Sequence, residues 1–211
     1  MTEPNTDARR PLKSRSTAWA RTLATRLVHS AVTANQISVA SVGFAGLGAA
    51  LLLLGKAWPW ALLGAALCVQ LRLLCNLIDG MVAVEGRKGT VTGALYNEIP
   101  DRIADSLFLV AAGYALDLST LGWLAALAAA LTAYIRVLGG TLGLPQDFRG
   151  PQAKPHRMAV LSLGCVFGAI EGWLWQTSYA LTAAMLIIAV GSIWTCVART
   201  RAIAAALHAK A

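Results

Sequence analysis

The chain has 211 residues, 57% hydrophobic and 13% charged, with a formal net charge of +8 and a mean hydropathy of +0.60. This excludes an ordinary soluble globular domain, in which about a quarter of the residues are charged, and fits one polytopic membrane domain. The basic residues gather at the N-terminus and in alternate loops, not along an aromatic-studded face. The charge therefore points to anionic lipid and argues against nucleic acid as a partner.

Residues 1–16 are polar, with Pro4, Pro11 and several basic residues, and have nothing to bury; a disordered basic tail is expected. The first apolar run comes only after this long polar stretch, so no cleavable signal peptide is expected. From 17 to 32, Trp19, Leu23, Leu27 and Ala31 recur every four residues, with Arg15, Arg21, Arg26 and His29 around the other side. That pattern predicts an amphipathic juxtamembrane helix on an anionic leaflet, or one packed against the membrane domain. Thr33 to Ser38 then reads as a capped start to the first apolar span.

Apolar segments follow at Ser38 to Leu54, Pro59 to Val84, Ile99 to Leu116, Leu121 to Leu142, Met158 to Trp175 and Tyr179 to Ala198. Each approaches the ~20 residues needed to cross a bilayer core. The expected fold is all-α: six transmembrane helices within residues 33–200, preceded by the amphipathic helix and followed by a C-terminal tail at 201–211. Apart from Lys56, the Lys and Arg outside the spans lie at the N-terminus, in the Glu85 to Arg102 loop, in the Asp147 to Arg157 loop and after Ala198. By the positive-inside tendency those regions face the cytoplasm, in an inner-membrane, multi-pass topology. Cys68, Cys75, Cys165 and Cys196 sit singly inside apolar segments, as small core residues and not as a disulfide or zinc framework.

The anomaly is the stretch from Asn76 to Asp105, which sets Asp79, Glu98, Asp101 and Asp105 among lipid-compatible residues. If Ile99 to Leu116 is helical, Glu98, Asp101 and Asp105 share one stripe. Arg72, Asn76, Asp79 and Ala83 likewise run down one face of the preceding segment. Two antiparallel helices would then bring both stripes to one polar site, with Arg72 balancing the acids. Clustered oxygen ligands without cysteine or histidine beside them suit Mg2+ or Mn2+ better than zinc. A single acid at a helix end needs no functional explanation. A spaced set following Asp-Gly on a neighbouring helix does, because buried acids are costly.

The same stretch resembles the signature of the CDP-alcohol phosphatidyltransferase family, D-x2-D-G-x2-A-R followed after a spacer by G-x3-D-x3-D. Asp79, Gly80 and Ala83 match its core, and Asp101 with Asp105 match the closing pair if the spacer is one helical turn longer than usual. In the other register Gly93 takes the glycine position, Asn97 replaces an acid and Asp105 falls outside. The longer spacer is preferred, because insertion into the Gly86 to Gly93 loop costs little. In the preferred register Asn76 stands where an Asp is expected, Val84 where an Arg is expected and Asn97 where the second Gly is expected; Arg87 or Lys88 can substitute for the missing Arg.

The resemblance implies transfer of a phosphatidyl group from a CDP-linked lipid, usually CDP-diacylglycerol, to an alcohol acceptor with release of CMP. It implies metal ligation by Asn76, Asp79, Asp101, Asp105 and Glu98, with Asp105 as catalytic base. Nucleotide contacts would come from Asn35, Gly80, Ala83 and Asn97, and a homodimer is implied. Tyr134 to Gly143 and the basic loop after it are similar to the acceptor region of phosphatidylinositol-phosphate-synthase-like members, which implies acceptor contacts from Arg136, Lys154 and Arg157. Two other readings stay open: a transporter with buried acids, and a catalytically inactive relative, the latter motivated by Asn76 and Val84.

Overall fold

The computed structural model describes residues 22, 25–28, 30, 32–85 and 90–210. The expected tail at 1–16, most of the expected helix at 17–32, and Arg87 and Lys88 lie outside them. Among the described residues there is no strand. Six long helices are described in full: α1 Ala34–Leu54, α2 Ala61–Glu85, α3 Gly93–Ala115, α4 Ser119–Thr141, α5 Lys154–Trp175 and α6 Tyr179–His208.

The first start is the one read from sequence. Thr33 Oγ1 accepts from the Gln36 backbone N–H at 3.2 Å, and the Gln36 side chain accepts from the Thr33 N–H at 3.0 Å. This reciprocal box satisfies two of the donors that a helix start leaves open. Before it, helical residues 25–28 bring Leu27 and Val28 against Ala34, Ile37, Ile78 and Val82, so this part of the juxtamembrane segment packs on the domain.

Packing between helices closes a ring. α1 lies against α2 and α3, α2 against α5, α5 against α6, α6 against α4, and α4 against α3. The order around the ring is therefore α1, α2, α5, α6, α4, α3, with α3 also reaching α6 across it. The centre is filled by Val69, Phe108, Leu109, Met158, Leu161, Cys165, Met185 and Ile188, interleaved with alanines such as Ala45, Ala65, Ala112, Ala125 and Ala129. Small residues let helix backbones approach closely where lipid supplies no hydrophobic drive between them.

Five helices, α1, α2, α4, α5 and α6, are long and apolar enough to cross a membrane. Six spans were expected, and α3 is the one that differs. Glu98, Asp101, Arg102 and Asp105 crowd its first half, so the helix carrying the acids is the one whose composition departs from a simple span. It also begins at Gly93, well before Ile99, and runs through Pro100. Proline favours the first helical turn, which is why the sequence suggested a start beside it; here it lies inside the helix. α5 likewise starts early, at Lys154 with Pro155 in its first turn, placing Lys154 and Arg157 on the helix and not in the loop.

Trp58, Trp60, Trp123, Trp173, Trp175 and Tyr179 belong to the end of the ring formed by the α1–α2 loop, the start of α4 and the α5–α6 turn, and all are exposed. Trp60 and Trp173 stack obliquely with ring centroids 5.6 Å apart. An aromatic belt of this kind sits at a membrane–water boundary. Apart from Lys56, Asp117 and Glu171, the acidic and basic residues of these helices and loops occupy the opposite end.

α3 and α4 cross where two glycines meet. A Cβ added at Gly113 would lie 2.6 Å from the Gly122 Cα, a separation no side chain tolerates. Gly122→Leu is expected to lower the thermal unfolding midpoint in detergent by several degrees, equivalent to about 1–3 kcal/mol of overpacking. Gly43→Leu, where an added Cβ meets nothing within 4 Å, should leave the midpoint close to that of the parent protein in the same measurement.

Candidate active site

Four helices converge at the charged end. α2 presents Arg72, Asn76 and Asp79 on successive turns, α3 presents Asp101 and Asp105, α5 presents Lys154 and Arg157, and α1 contributes Ser38. Arg72, Asp79, Asp101, Asp105 and Arg157 are all buried, the two arginines at 0% exposure. Buried charge survives only when paired and hydrogen-bonded, and the pairing here is extensive.

Asp105 is deepest. Its Oδ1 accepts from Arg72 Nη2 at 2.6 Å and its Oδ2 from Arg157 Nη2 at 2.5 Å, while Arg157 also donates to the Gln152 carbonyl at 3.0 Å. Asp101, one turn nearer the surface, has more partners. Asn76 Nδ2 donates to its Oδ1 at 2.7 Å, Arg72 Nη2 donates to the same oxygen at 3.2 Å and to its backbone carbonyl at 3.1 Å. Lys154 pairs with Oδ2, and Arg102 stands 3.5 Å from it. Asp79 differs from both: Ser38 donates to its Oδ2 at 2.5 Å, while its Oδ1 is buried without a partner. Asp79 and Asp101 lie within each other's electrostatic reach, and Lys154 acts on both.

The expected metal ligands therefore divide. Asn76, Asp79 and Asp101 come together. Asp105 is set apart from them by two fully buried guanidinium groups, Arg72 on one oxygen and Arg157 on the other, so an ion there would sit against two fixed cations. Glu98 turns outward to pair with Arg136 and lies 3.7 Å from Arg102. Among the described residues no group of three or more His, Cys, Asp or Glu is arranged to hold a metal. Two acids and an amide remain, and these fit one hard divalent cation: Asp79 has an orphaned buried oxygen, and Asn76, which donates through Nδ2, keeps its carbonyl oxygen for ligation.

The expected nucleotide residues border this cluster. Asn35 donates to Thr90 Oγ1 at 3.2 Å and, with Gln36, Val39 and Tyr96, lines an open groove of about 270 Å³. Gly80 and Ala83 follow Asp79 on α2, Ala83 packing beside Ile78 and Val82. Asn97 is exposed one turn before Asp101.

Of the expected acceptor residues, Arg136 bonds Glu98 and Gln146 and lies over the Phe148 ring at 5.5 Å. Lys154 is on Asp101, and Arg157 faces inward, so a soluble acceptor does not reach it. Arg199 was missed as a buried residue. It donates to the Arg149 carbonyl at 3.0 Å and the Thr132 carbonyl at 2.5 Å, and near it the Gln152 N–H reaches Thr195 Oγ1 at 3.1 Å. Ser192, Thr195 and Arg199 recur at helical spacing, a polar stripe that shows once α6 is known to continue past Ala198. Ser38 gave no separate signal beyond its place in the capped start of α1.

No protein-family profile matches the chain. It is 31% identical over 176 residues to the phosphatidylinositol phosphate synthase of Corynebacterium glutamicum, covering 80% of this chain and 76% of that protein. It is 28% identical over 174 residues to the inner membrane protein YnbA of Escherichia coli, covering 82% and 84%. A third match, to the bifunctional IPC transferase and DIPP synthase of Rubrobacter xylanophilus, is 34% identical over 151 residues but spans only 33% of that longer protein. Among solved structures, the phosphatidylinositol phosphate synthase of Mycobacterium tuberculosis with CDP-DAG bound superposes with a TM-score of 0.74 at 22% identity, covering 89% of this chain and 94% of that one. The same enzyme with manganese and citrate gives 0.73 at 22% identity, covering 87% and 88%. At that identity the likeness is one of fold.

The network predicts opposite consequences for two aspartates. Asp105→Ala strips a partner from two fully buried arginines and is expected to destabilise the protein by ~3–5 kcal/mol, read as early unfolding in detergent. Asp79→Ala strands no cation and removes an unsatisfied buried oxygen, so the same measurement should show no loss of stability.

Proposed function

The chain belongs to the CDP-alcohol phosphatidyltransferase family, and from that premise we propose how its own residues carry the reaction. It is a phospholipid-synthesis enzyme that transfers a phosphatidyl group from a CDP-linked lipid to an alcohol and releases CMP. The observation that carries the assignment of the site is that Asp79 and Asp101 stand within electrostatic reach of each other across α2 and α3, with one buried Asp79 oxygen left unpartnered.

Asn76, Asp79 and Asp101 would hold Mg2+ or Mn2+, and the bound ion supplies charge neutralisation for a pyrophosphate and its leaving phosphate. Asn35, Gly80, Ala83 and Asn97, beside that position, frame the nucleotide. Lys154, with a quarter of its side chain exposed (24%), is free to swing from Asp101 toward a phosphate, and Arg136 at the rim meets an anionic acceptor such as a phosphorylated polyol. CDP-diacylglycerol is the lipid donor in this reading.

Proton removal is assigned to Asp101 and not to Asp105. The start of α3 at Gly93 sets Gly93, Asn97 and Asp101 at four-residue steps on one helix, which favours the shorter register of the family signature, with Asp101 closing it. Lys154, the partner on Asp101 Oδ2, is displaceable, whereas the arginines on Asp105 are sealed in. Asp105 then organises Arg72 and Arg157. α3 crosses the membrane as a sixth span, its charged half sheltered by α1, α2 and α4, with the N-terminus and the site on the cytoplasmic side.

The test is CMP release by purified protein in detergent with CDP-diacylglycerol, Mn2+ or Mg2+, and glycerol 3-phosphate, inositol, inositol phosphate or serine as acceptor. Metal- and acceptor-dependent CMP is expected, and its absence with every acceptor would leave the inactive-relative reading. Asp101→Asn is expected to reduce the rate by ~10²–10⁴-fold, while folded Asp105→Asn keeps measurable turnover. Turnover kept by Asp101→Asn and lost by folded Asp105→Asn would return the base to Asp105.

A further inference from the structure

We propose that Arg72 is a fixed counter-charge that restricts this centre to one divalent ion per chain. The inference rests on the reading of Asn76, Asp79 and Asp101 as ion ligands and asks how much metal charge the surrounding protein leaves room for.

The charge around the site is already balanced. Asp79, Asp101 and Asp105 face Arg72, Lys154 and Arg157, with Arg102 3.5 Å from Asp101, so the three acids already meet at least as many cations, and Asp101, Asp105, Arg72 and Arg157 are locked in ion pairs sealed from solvent. Arg72 is central to that balance. It lies one turn along α2 from Asn76, is fully buried, and touches both acids of α3 through one nitrogen. A guanidinium does not deprotonate in proteins, and this one is also tied to the Asp101 backbone carbonyl. It cannot yield its place to a metal in the way that the partly exposed Lys154 can.

The acid oxygens show the same restriction. Both Asp105 oxygens face buried guanidiniums that cannot leave, Asp101 Oδ2 faces the partly exposed Lys154, and Asp79 Oδ1 is buried with no partner. One ion anchored on that oxygen and completed by Asn76 and Asp101 uses the unsatisfied capacity of the site. A second ion shared by Asp101 and Asp105 would have to occupy the position of Arg72. The amide at Asn76 agrees with this: with a permanent cation one turn away, a carboxylate there is not needed to balance charge, and its absence lowers the demand for metal.

The measurement is a Mn2+ titration of the purified protein in detergent, followed by electron paramagnetic resonance, with CMP release assayed in parallel. The parent protein should bind one Mn2+ per chain with no spin coupling between ions. Asn76→Asp should still bind one, and the double variant Arg72→Gln/Asn76→Asp, which shifts the site by two negative charges, should bind two that are coupled. Two ions on the parent protein, or none, overturn the proposal, as does a folded double variant that still binds one. If the double variant does not fold, the count on the parent and on Asn76→Asp decides. CMP release accompanied by two bound ions would sink this inference and leave the proposed function standing; one bound ion without CMP release would do the reverse.

Discussion

A charge inside a hydrocarbon layer has to find its partner within the protein, and this fold is arranged around that requirement. Asp105, the deepest acid, is held between Arg72 from α2 and Arg157 from α5, so three helices are joined by two ion pairs that neither water nor salt reaches. Because removing any one member strands a charge, the triad fixes the relative depth of those helices. Asp101 inherits its position from the triad, being on the same helix and bonded to the same Arg72. The open oxygen of Asp79 lies beside this network, in which Arg72 Nε and Nη1 and Arg157 Nε are likewise buried without partners.

Much of this was legible in the sequence. Five of the six expected spans, the capped start at Thr33 and the convergence of the stripes containing Arg72, Asn76 and Asp101 follow from periodicity and from the cost of burying acids. The D-G-x2-A core added the chemistry. What was misread lay at helix ends, where local rules compete. Pro100 suggested a helix start that the structure places at Gly93, and the choice between Asp101 and Asp105 depended on that boundary. Arg157 looked like a loop cation because periodicity does not reveal that α5 begins with Lys154. Arg199 looked like a tail residue for the same reason at the far end of α6. Its burial depends on two backbone carbonyls, Thr132 and Arg149, far away in sequence, and no pattern within α6 announces them.

The loop between α4 and α5 is less free than its polar composition suggests. Arg199 and Thr195 on α6 hold its backbone, and Gly150 takes a φ of +110° where an added Cβ would collide with Thr195. A loop held in this way delivers Lys154 to Asp101 at a defined height. The other loops at this face carry no comparable set of ties among the described residues.

Glu98 and Arg136 show how such a site can discriminate among small solutes. The guanidinium at the rim already holds a carboxylate, so an incoming anion offering charge alone merely swaps one negative partner for another and leaves Glu98 bare. A solute bearing both a phosphate and hydroxyl groups can satisfy Arg136 and hydrogen-bond the displaced Glu98 at once. In the proposed reading, the pair would thus select against anions that offer charge alone.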